Sequence, residues 1–264
     1  MLRHRILTAV VGLPLLIAII WYGEPWFTIL IAVMAALGGW EFYRMANQEK
    51  IRPITYFGLA WVILIILSPH CPYPVTTPLL ISSAIVFSLI WLLFRSPREH
   101  AFISWAWTMA GILYIGWMLS HWIELRSLEA GKGLVFWAMF TTFANDTSAF
   151  FVGRTWGKHT LAPSISSGKT WEGAIGGLFA SILVSLVLSL IFPLPFSYWQ
   201  LVLLGCIISL FAQLGDLVES LLKRNTGVKD TSKLMPGHGG ILDRIDSLIF
   251  TGVIVYYCVV LAKL

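Results

Sequence analysis

The sequence predicts an all-α integral membrane protein, a polytopic chain with about nine transmembrane helices and a cytoplasmic N-terminus. Of its 264 residues, 58% are hydrophobic and only 12% are charged, and the mean hydropathy is +0.80. Soluble domains are about 45–50% apolar and about 25% charged. An excess of apolar residues this large indicates that most of the helix surface lies in lipid.

Nine apolar runs of helical length account for this prediction. A helix needs about 20 apolar residues to cross the hydrocarbon core, in a range of roughly 17–25. Prolines cluster between the early runs, as expected where helices end, and the third run is short and flanked by them. The predicted spans are 6–22, 26–45, 54–68, 78–94, 101–122, 133–152, 172–193, 199–222 and 245–262.

The first run follows Arg3 and Arg5 and therefore imitates a signal peptide. No small-residue cleavage site follows it, and another apolar run comes soon after Gly23. We expect it to be retained as the first span.

The distribution of basic residues predicts which loops face the cytoplasm. If the chain crosses the membrane at each predicted span, fifteen of the eighteen lysines and arginines fall on the side of the N-terminus. The positive-inside rule makes that side cytoplasmic. The net charge of +5 is then explained by topology and anionic lipid, and we expect no nucleic-acid partner.

We expect residues 1–264 to form a single membrane domain. In this interpretation, residues 1–130 supply scaffold and lipid-facing helices, and residues 131–264 supply the catalytic helices with their cytoplasmic loops. The long cytoplasmic loops are 153–171 and about 223–244.

Residues 216–246 concentrate carboxylates, cations and glycines in a chain that otherwise avoids charge. Asp216 and Glu219 are three residues apart, as are Asp243 and Asp246, so each pair lies on one helix face. A helical hairpin would bring the two faces together at the membrane surface. Magnesium binds through carboxylates and substrate phosphates, so the segment favours phosphoryl or nucleotidyl transfer. The alternative is that the acids pair with neighbouring cations and only stabilise the helix ends.

A glycine-rich stretch, Pro236-Gly-His-Gly-Gly240, precedes the last predicted span. Glycine lets backbone amides approach a ligand closely, so this stretch can bind a phosphate. His238 is equally compatible with a structural hydrogen bond and with a role as acid or ligand.

The stretch Ser220-Leu-Leu-Lys-Arg224, followed after four residues by Lys-Asp-Thr-Ser-Lys-Leu-Met-Pro-Gly-His-Gly-Gly-Ile-Leu-Asp-Arg-Ile-Asp246, resembles the signature of the phosphatidate cytidylyltransferase family, also called CDP-diacylglycerol synthases. The one departure is Met235, where the family usually has leucine, isoleucine or phenylalanine, and this change nearly conserves side-chain volume. The resemblance implies a membrane enzyme that joins CTP to phosphatidic acid and releases pyrophosphate. It also implies Mg²⁺, with room for a second cation.

The resemblance assigns the metal centre of this segment, and the charges and glycines of the segment predict the other roles. The metal centre is expected at Asp216, Asp243 and Asp246. The residues expected to act in catalysis are these three with Lys223, Arg224 and Arg244, and those expected to bind substrate include Lys229, Asp230, His238, Gly239 and Gly240.

An upstream segment, Phe143–Arg154 continuing to Gly157–Gly173, resembles the same family's second conserved region. Asp146 stands inside an apolar span, where a carboxylate costs about 2.5–3.5 kcal/mol unless it faces a polar cavity, so we expect it to bind substrate. The alternative is a packing role beside a hydroxyl group. Lys169 is also expected to bind substrate phosphates. The alternative is that its charge serves only to set the membrane topology. Glu172 is either a site acid or a favourable charge at a helix N-terminus.

Other residues have simpler expected roles. Glu41 and Arg44 lie near a helix end and are expected to pair or to reach the surface. Three glycines, Gly173, Gly176 and Gly177, are expected to permit close helix packing. Eight tryptophans are expected at the membrane interface or against lipid. They are Trp26, Trp61, Trp91, Trp105, Trp107, Trp117, Trp122 and Trp137.

The second function class is an ion-coupled membrane transporter with an intramembrane carboxylate cluster. It explains the acids but not the loop cations beside glycines, and no inverted repeat is visible. The expected partners are CTP, phosphatidic acid and membrane lipids, and a homodimer is compatible with the sequence. The expected location is a bacterial inner membrane, with the active site facing the cytoplasm.

Overall fold

A computed structural model describes residues 2–48, 51–94, 100–232 and 239–262. Helices dominate them, and the predicted all-α class is confirmed. A 3₁₀ turn (Ser68–His70) and a π-helical segment (Ile112–Trp117) occur as well. The elements are α1 (Leu2–Tyr22), α2 (Trp26–Gln48), α3 (Thr55–Leu67), α4 (Thr76–Phe94), α5 (Ala101–Gly111), α6 (Met118–Ser127), α7 (Gly131–Trp156), β1 (Thr160–Ala162), β2 (Ser166–Thr170), α8 (Trp171–Ile191), α9 (Tyr198–Asn225) and α10 (Leu242–Ala262).

Each predicted apolar run corresponds to helix in the structure. Within the described residues, six helical stretches are long and apolar enough to cross a membrane, and two shorter apolar helices occur at Val10–Tyr22 and Thr55–His70. The helix α7 is 26 residues long but is not among the six, because polar residues interrupt its apolar sequence. These features are those of an integral membrane protein.

The chain divides into two compact units. The first unit comprises Met1–Ile123 and Asn225–Ile245, and the second comprises Glu124–Arg224 and Asp246–Leu264. The boundary therefore falls inside α10, directly before Asp246.

Aromatic packing organises the first unit. Tyr43 of α2 is fully buried, and its hydroxyl donates to the Thr108 backbone oxygen at 2.9 Å. A Cβ atom added at Gly58 or at Gly111 would overlap the Tyr43 ring. The two glycines therefore hold the ring between α3 and α5.

Close packing of α7 on α8 organises the second unit, and the prediction for the three glycines of α8 is confirmed. A Cβ at Gly173 would lie 2.7 Å from the Ala149 backbone oxygen, and one at Gly177 would lie 2.6 Å from the Asn145 Oδ1. Gly176 makes the same kind of approach to a side chain of α7. Without side chains at these positions, α8 lies directly against the polar part of α7.

The expectation for the tryptophans is wrong for two of them. Trp122 and Trp137 are fully buried, and the Trp137 indole N–H donates to the Ser185 Oγ at 2.9 Å. A buried indole needs such an acceptor. By contrast, Trp26 and Trp91 are exposed, as expected for side chains that meet lipid.

We predict that Gly58→Ala lowers the melting temperature of the detergent-solubilised protein by several degrees. Tyr43 is held by its hydrogen bond and by Gly111, so its ring cannot move away from the new methyl group. Overpacking of this kind typically costs about 1–3 kcal/mol. Thermal unfolding followed by circular dichroism measures the effect.

The matched control is Gly12→Ala, at a helical glycine where an added Cβ meets nothing within 4 Å. Alanine favours a helix over glycine by up to about 1 kcal/mol, so this variant should melt at the wild-type temperature or above. Equal behaviour of the two variants would contradict the packing described for Tyr43.

Candidate active site

Three carboxylates converge where α9 packs against α10 in the second unit. Gly215 permits the approach, since a Cβ there would lie 2.6 Å from the Asp246 backbone oxygen. Asp216, Glu219 and Asp246 each offer one oxygen, and these three oxygens lie within 4.8 Å of one another. We call these residues the carboxylate cluster.

Two members of the carboxylate cluster are shielded from water, Asp216 is partly exposed, and lysines lie beside two of the three acids. Glu219 is 0% exposed and Asp246 is 8% exposed. The Lys223 Nζ lies 2.5 Å from the Glu219 Oε2, and the Lys169 Nζ lies 2.9 Å from the Asp216 Oδ1. Within the part of the chain that the structure describes, three carboxylates and two ammonium groups thus lie together, and oxygen donors are the ligands that magnesium prefers. The donor set fits a divalent cation.

Asp146 is connected to the carboxylate cluster by hydrogen bonds through Ser247. Its Oδ2 accepts from the Ser247 Oγ at 2.7 Å, and its Oδ1 accepts from the Asn145 Nδ2 at 2.9 Å. The Ser247 backbone N–H donates to the Asp246 Oδ1 at 2.8 Å. Ser247 therefore contacts Asp146 and the carboxylate cluster at once.

Asn145 connects Asp146 to α9 by hydrogen bonds. It is fully buried, and its Oδ1 accepts from the Ser209 Oγ at 2.7 Å and from the Gln213 Nε2 at 3.2 Å. Because the carbonyl oxygen is occupied by two donors, the amide nitrogen is directed to Asp146. This network satisfies polar groups that would be costly to bury without partners.

A cavity of about 160 Å³ opens between α7, α8 and α9 of the second unit. Its wall brings together Asp146, Lys169 and Asp216, three of the residues singled out by the sequence. The lining residues are Asn145, Asp146, Ala149, Phe150, Leu161, Gly168, Lys169, Thr170, Gly173, Ala174, Gln213 and Asp216.

The short antiparallel hairpin β1–β2 positions Lys169. It leads directly into α8, where the Thr170 side chain accepts from the Gly173 backbone N–H at 3.1 Å and caps the helix. The Glu172 Oε1 lies 2.6 Å from the His159 Nδ1, and its Oε2 accepts backbone N–H groups at Lys158 and His159. Glu172 therefore anchors the start of the hairpin.

The two cations at the end of α9 have different surroundings. Lys223 contacts the carboxylate cluster at Glu219. Arg224 is exposed, and its Nε donates to the Ile165 backbone oxygen at 3.2 Å. Arg224 thus contacts the turn of the hairpin that carries Lys169.

The first unit contains the other predicted site residues. Lys229, Asp230 and Arg244 are exposed, and Asp243 is half-buried. His238 lies outside the described residues.

Asp243 is held by the backbone that surrounds it in the first unit. Its Oδ2 accepts from the Gly240 N–H at 2.8 Å, and from the Thr231 N–H at 3.1 Å and Oγ1 at 2.8 Å. Gly239 has a φ of +81°, a conformation that favours glycine. The amide of Gly240, expected to bind substrate, therefore donates to Asp243 in this structure.

Several of these residues are not part of the predicted site. The spacing from Asp216 singles out Glu219 but does not assign it to the metal. Gln213 is a polar residue one helical turn before Asp216 in an apolar span, and this position is a usable signal. Asn145 and Ser247 adjoin predicted acids in the sequence, but only the fold shows that they join Asp146 to its neighbours.

Together, these features define a helical membrane protein with a partly buried carboxylate cluster and a lysine-lined cavity that share Asp216. A model of the Cytidylyltransferase family matches residues 3–262, and the chain belongs to this family. It is 32% identical over 264 residues to the phosphatidate cytidylyltransferase of Bacillus subtilis, covering 98% of each chain. It is 36% identical over 251 residues to the protein of that name from Staphylococcus saprophyticus, and 35% over 253 residues to the one from Staphylococcus aureus. Both alignments cover 94% of this chain and 95% of the relative.

We predict that Asn145→Asp lowers both the melting temperature and the activity of the protein. The substitution keeps the oxygen that Ser209 and Gln213 bind but replaces the donor to Asp146 by a second carboxylate oxygen, so that two like charges face each other. Thermal unfolding and turnover in detergent measure the two effects.

Asn225→Asp is the matched control, because Asn225 is an exposed residue at the end of α9. The control should behave like the wild type. Wild-type stability and turnover of Asn145→Asp would contradict the role given to the Asn145 amide.

Proposed function

We propose that this protein transfers the cytidylyl group of CTP to phosphatidic acid, which yields CDP-diacylglycerol and pyrophosphate. The observation that carries the proposal is the carboxylate cluster beside the cavity of Asp146 and Lys169, in a chain of the Cytidylyltransferase family. The family also favours a transferase over the transporter alternative. The relatives are named for this activity, and the alignments cover nearly their whole length.

The reaction needs one displacement at phosphorus. A phosphate oxygen of phosphatidic acid forms a bond to the α-phosphorus of CTP, and the bond from that phosphorus to the β-phosphate oxygen breaks. The nucleophile is already ionised near neutral pH, so no general base is required. The main barrier is repulsion between anions, which preorganised cations reduce.

The cavity is suited to the phosphates of the substrates. Ligand pockets usually measure about 300–1,000 Å³, so a cavity of about 160 Å³ suits a phosphate group better than a whole nucleotide. Lys169 supplies a positive charge there, and Thr170 and Gln213 supply polar groups. Asp146, held by Ser247 and Asn145, faces the substrate beside Lys169.

Asp216, Glu219 and Asp246 are the residues that we expect to hold Mg²⁺. Asp243, one helical turn before Asp246, is assigned to the same centre by the sequence resemblance, and a second cation is part of the proposal. A bound divalent cation would neutralise charge on the reacting phosphates.

The other predicted cations are proposed to contact phosphate oxygens of either substrate or of pyrophosphate. Lys223 and Arg224 follow the carboxylate cluster on α9, whereas Lys229 and Arg244 are exposed in the first unit. Asp230, His238, Gly239 and Gly240 remain predicted substrate-binding residues.

The proposed setting is a bacterial inner membrane with nine crossings and the N-terminus in the cytoplasm. The six long apolar helices, the two shorter ones and α7 support this number of crossings. The excess of basic residues in loops on one side supports the orientation. In the proposed orientation, the active site lies on the cytoplasmic side, where CTP is available. A homodimer remains a prediction from the sequence.

The proposal predicts magnesium-dependent release of pyrophosphate by purified protein given phosphatidic acid and CTP. Replacing CTP by ATP or UTP, or omitting the lipid, should abolish the release, since both substrates take part in the same displacement. A coupled pyrophosphate assay in mixed detergent and lipid micelles measures it, with dCTP added to test sugar selectivity.

The lipid product is the control for this assay, because pyrophosphate can also come from simple hydrolysis of CTP. The amount of cytidylyl group found in the lipid fraction should equal the amount of pyrophosphate released. Folded protein that releases no pyrophosphate from CTP and phosphatidic acid would contradict the proposed function.

A further inference from the structure

Glu41 is a fully buried carboxylate near the end of α2 in the first unit. The expectation that it pairs with Arg44 or reaches the surface is corrected by the structure, in which Arg44 is exposed and Glu41 is not. Both carboxylate oxygens instead accept hydrogen bonds from residues about 190–200 positions later in the chain. The donors to Oε1 are the Ser232 Oγ at 2.5 Å and the Ile241 N at 3.0 Å, and the donors to Oε2 are the Thr231 Oγ1 at 3.1 Å and the Leu242 N at 2.8 Å.

Two of these donors belong to the start of α10. The first N–H groups of a helix have no partner within the helix, and a negative charge is favourable at this end. A residue of the same chain segment usually supplies this cap. Here Glu41 reaches from α2 to the N–H groups of Ile241 and Leu242 and fixes where α10 begins.

The other two donors connect Glu41 to Asp243. The Thr231 Oγ1 lies 3.1 Å from the Glu41 Oε2 and 2.8 Å from the Asp243 Oδ2, so one hydroxyl group lies between two carboxylates. A Cβ atom at Gly240 would overlap both the Thr231 Oγ1 and the Glu41 Oε2. Gly240 thus leaves the space that this arrangement requires, while its own N–H binds Asp243.

We infer that Glu41 is a positioning residue that sets the orientation of the Asp243 carboxylate through Thr231 and the first turn of α10. It acts without touching the substrate. The inference rests on the proposed function and on the role of Asp243 in the metal centre. Burial of a carboxylate is costly unless it is hydrogen-bonded. The groups that donate to Glu41 all belong to the chain that surrounds Asp243, and the single proton of the Thr231 hydroxyl is shared between the two carboxylates.

Glu41→Gln is the sharpest test, because it keeps the shape of the side chain and removes one acceptor. Each oxygen of Glu41 faces one backbone N–H, which cannot reverse its direction. In either orientation of the glutamine amide, its NH₂ group therefore opposes one of these N–H groups. We expect kcat to fall and the magnesium concentration for half-maximal activity to rise, by at most the about 10–100-fold that follows loss of a direct partner of a metal ligand. Binding of Mn²⁺ to the folded variant, followed by electron paramagnetic resonance in the absence of substrates, should weaken as well.

The control with the same chemical change is Glu24→Gln. Glu24 is an exposed carboxylate in the first unit, 3.8 Å from His70, and its variant should keep the wild-type kcat and magnesium requirement. The KM for CTP at saturating magnesium should change less than kcat in Glu41→Gln. A purely structural role would lower the amount of folded protein without shifting the magnesium requirement.

Thr231→Val and Ser232→Ala keep the test decisive if Glu41→Gln does not fold. Thr231→Val removes the hydroxyl shared with Asp243 and should shift the magnesium requirement, whereas Ser232→Ala removes the hydroxyl that donates to the other Glu41 oxygen and should have a smaller effect. Combining Thr231→Val with Glu41→Gln should cost less than the product of the single losses, because both act on Asp243.

Wild-type kcat and magnesium dependence in folded Glu41→Gln, or in folded Thr231→Val if the first variant does not fold, would overturn the inference. Absence of turnover in the wild-type protein itself is a separate result that would overturn the proposed function and the role of Asp243 with it.

Discussion

The architecture depends on the burial of carboxylates among apolar helices. A charged side chain at the centre of a membrane helix costs about 2.5–3.5 kcal/mol on insertion scales, so each buried acid requires compensation. The second unit provides lysine partners for Asp216 and Glu219 and hydroxyl and amide donors for Asp146. The first unit provides backbone and hydroxyl donors for Glu41 and Asp243. These donors account for much of the polar sequence within otherwise apolar helices.

Small residues determine where this compensation can occur. Gly215 lets α9 meet α10 at Asp246, and Gly177 lets α8 lie against Asn145. A side chain at Gly215 would separate the two helices that bear the carboxylate cluster, and one at Gly177 would displace Asn145, a donor to Asp146. The polar network and the close helix packing therefore depend on each other.

Much of this could be predicted from the sequence, because both the membrane helices and the signature are local patterns. The apolar runs predict helices, and the spacing of Asp216 from Glu219 predicts one charged face of α9. The environment of Glu41 could not be predicted, since its partners lie some 190 residues away and include backbone N–H groups that no residue type reveals. The burial of Trp122 and Trp137 likewise depends on neighbouring helices. The assignment of residues 225–245 to the same unit as the N-terminal helices is a tertiary feature that chain order does not indicate.

Binding of Mn²⁺, a spectroscopic substitute for Mg²⁺, tests most directly whether the carboxylate cluster is the metal site. Electron paramagnetic resonance of the folded protein should show tight Mn²⁺ binding in the wild type and in Glu129→Gln, which alters an exposed carboxylate of the second unit. The variants Asp216→Asn, Glu219→Gln and Asp246→Asn should each bind Mn²⁺ at least about 10-fold more weakly, because each loses a charged oxygen ligand. Unchanged Mn²⁺ affinity in all three folded variants would contradict the account.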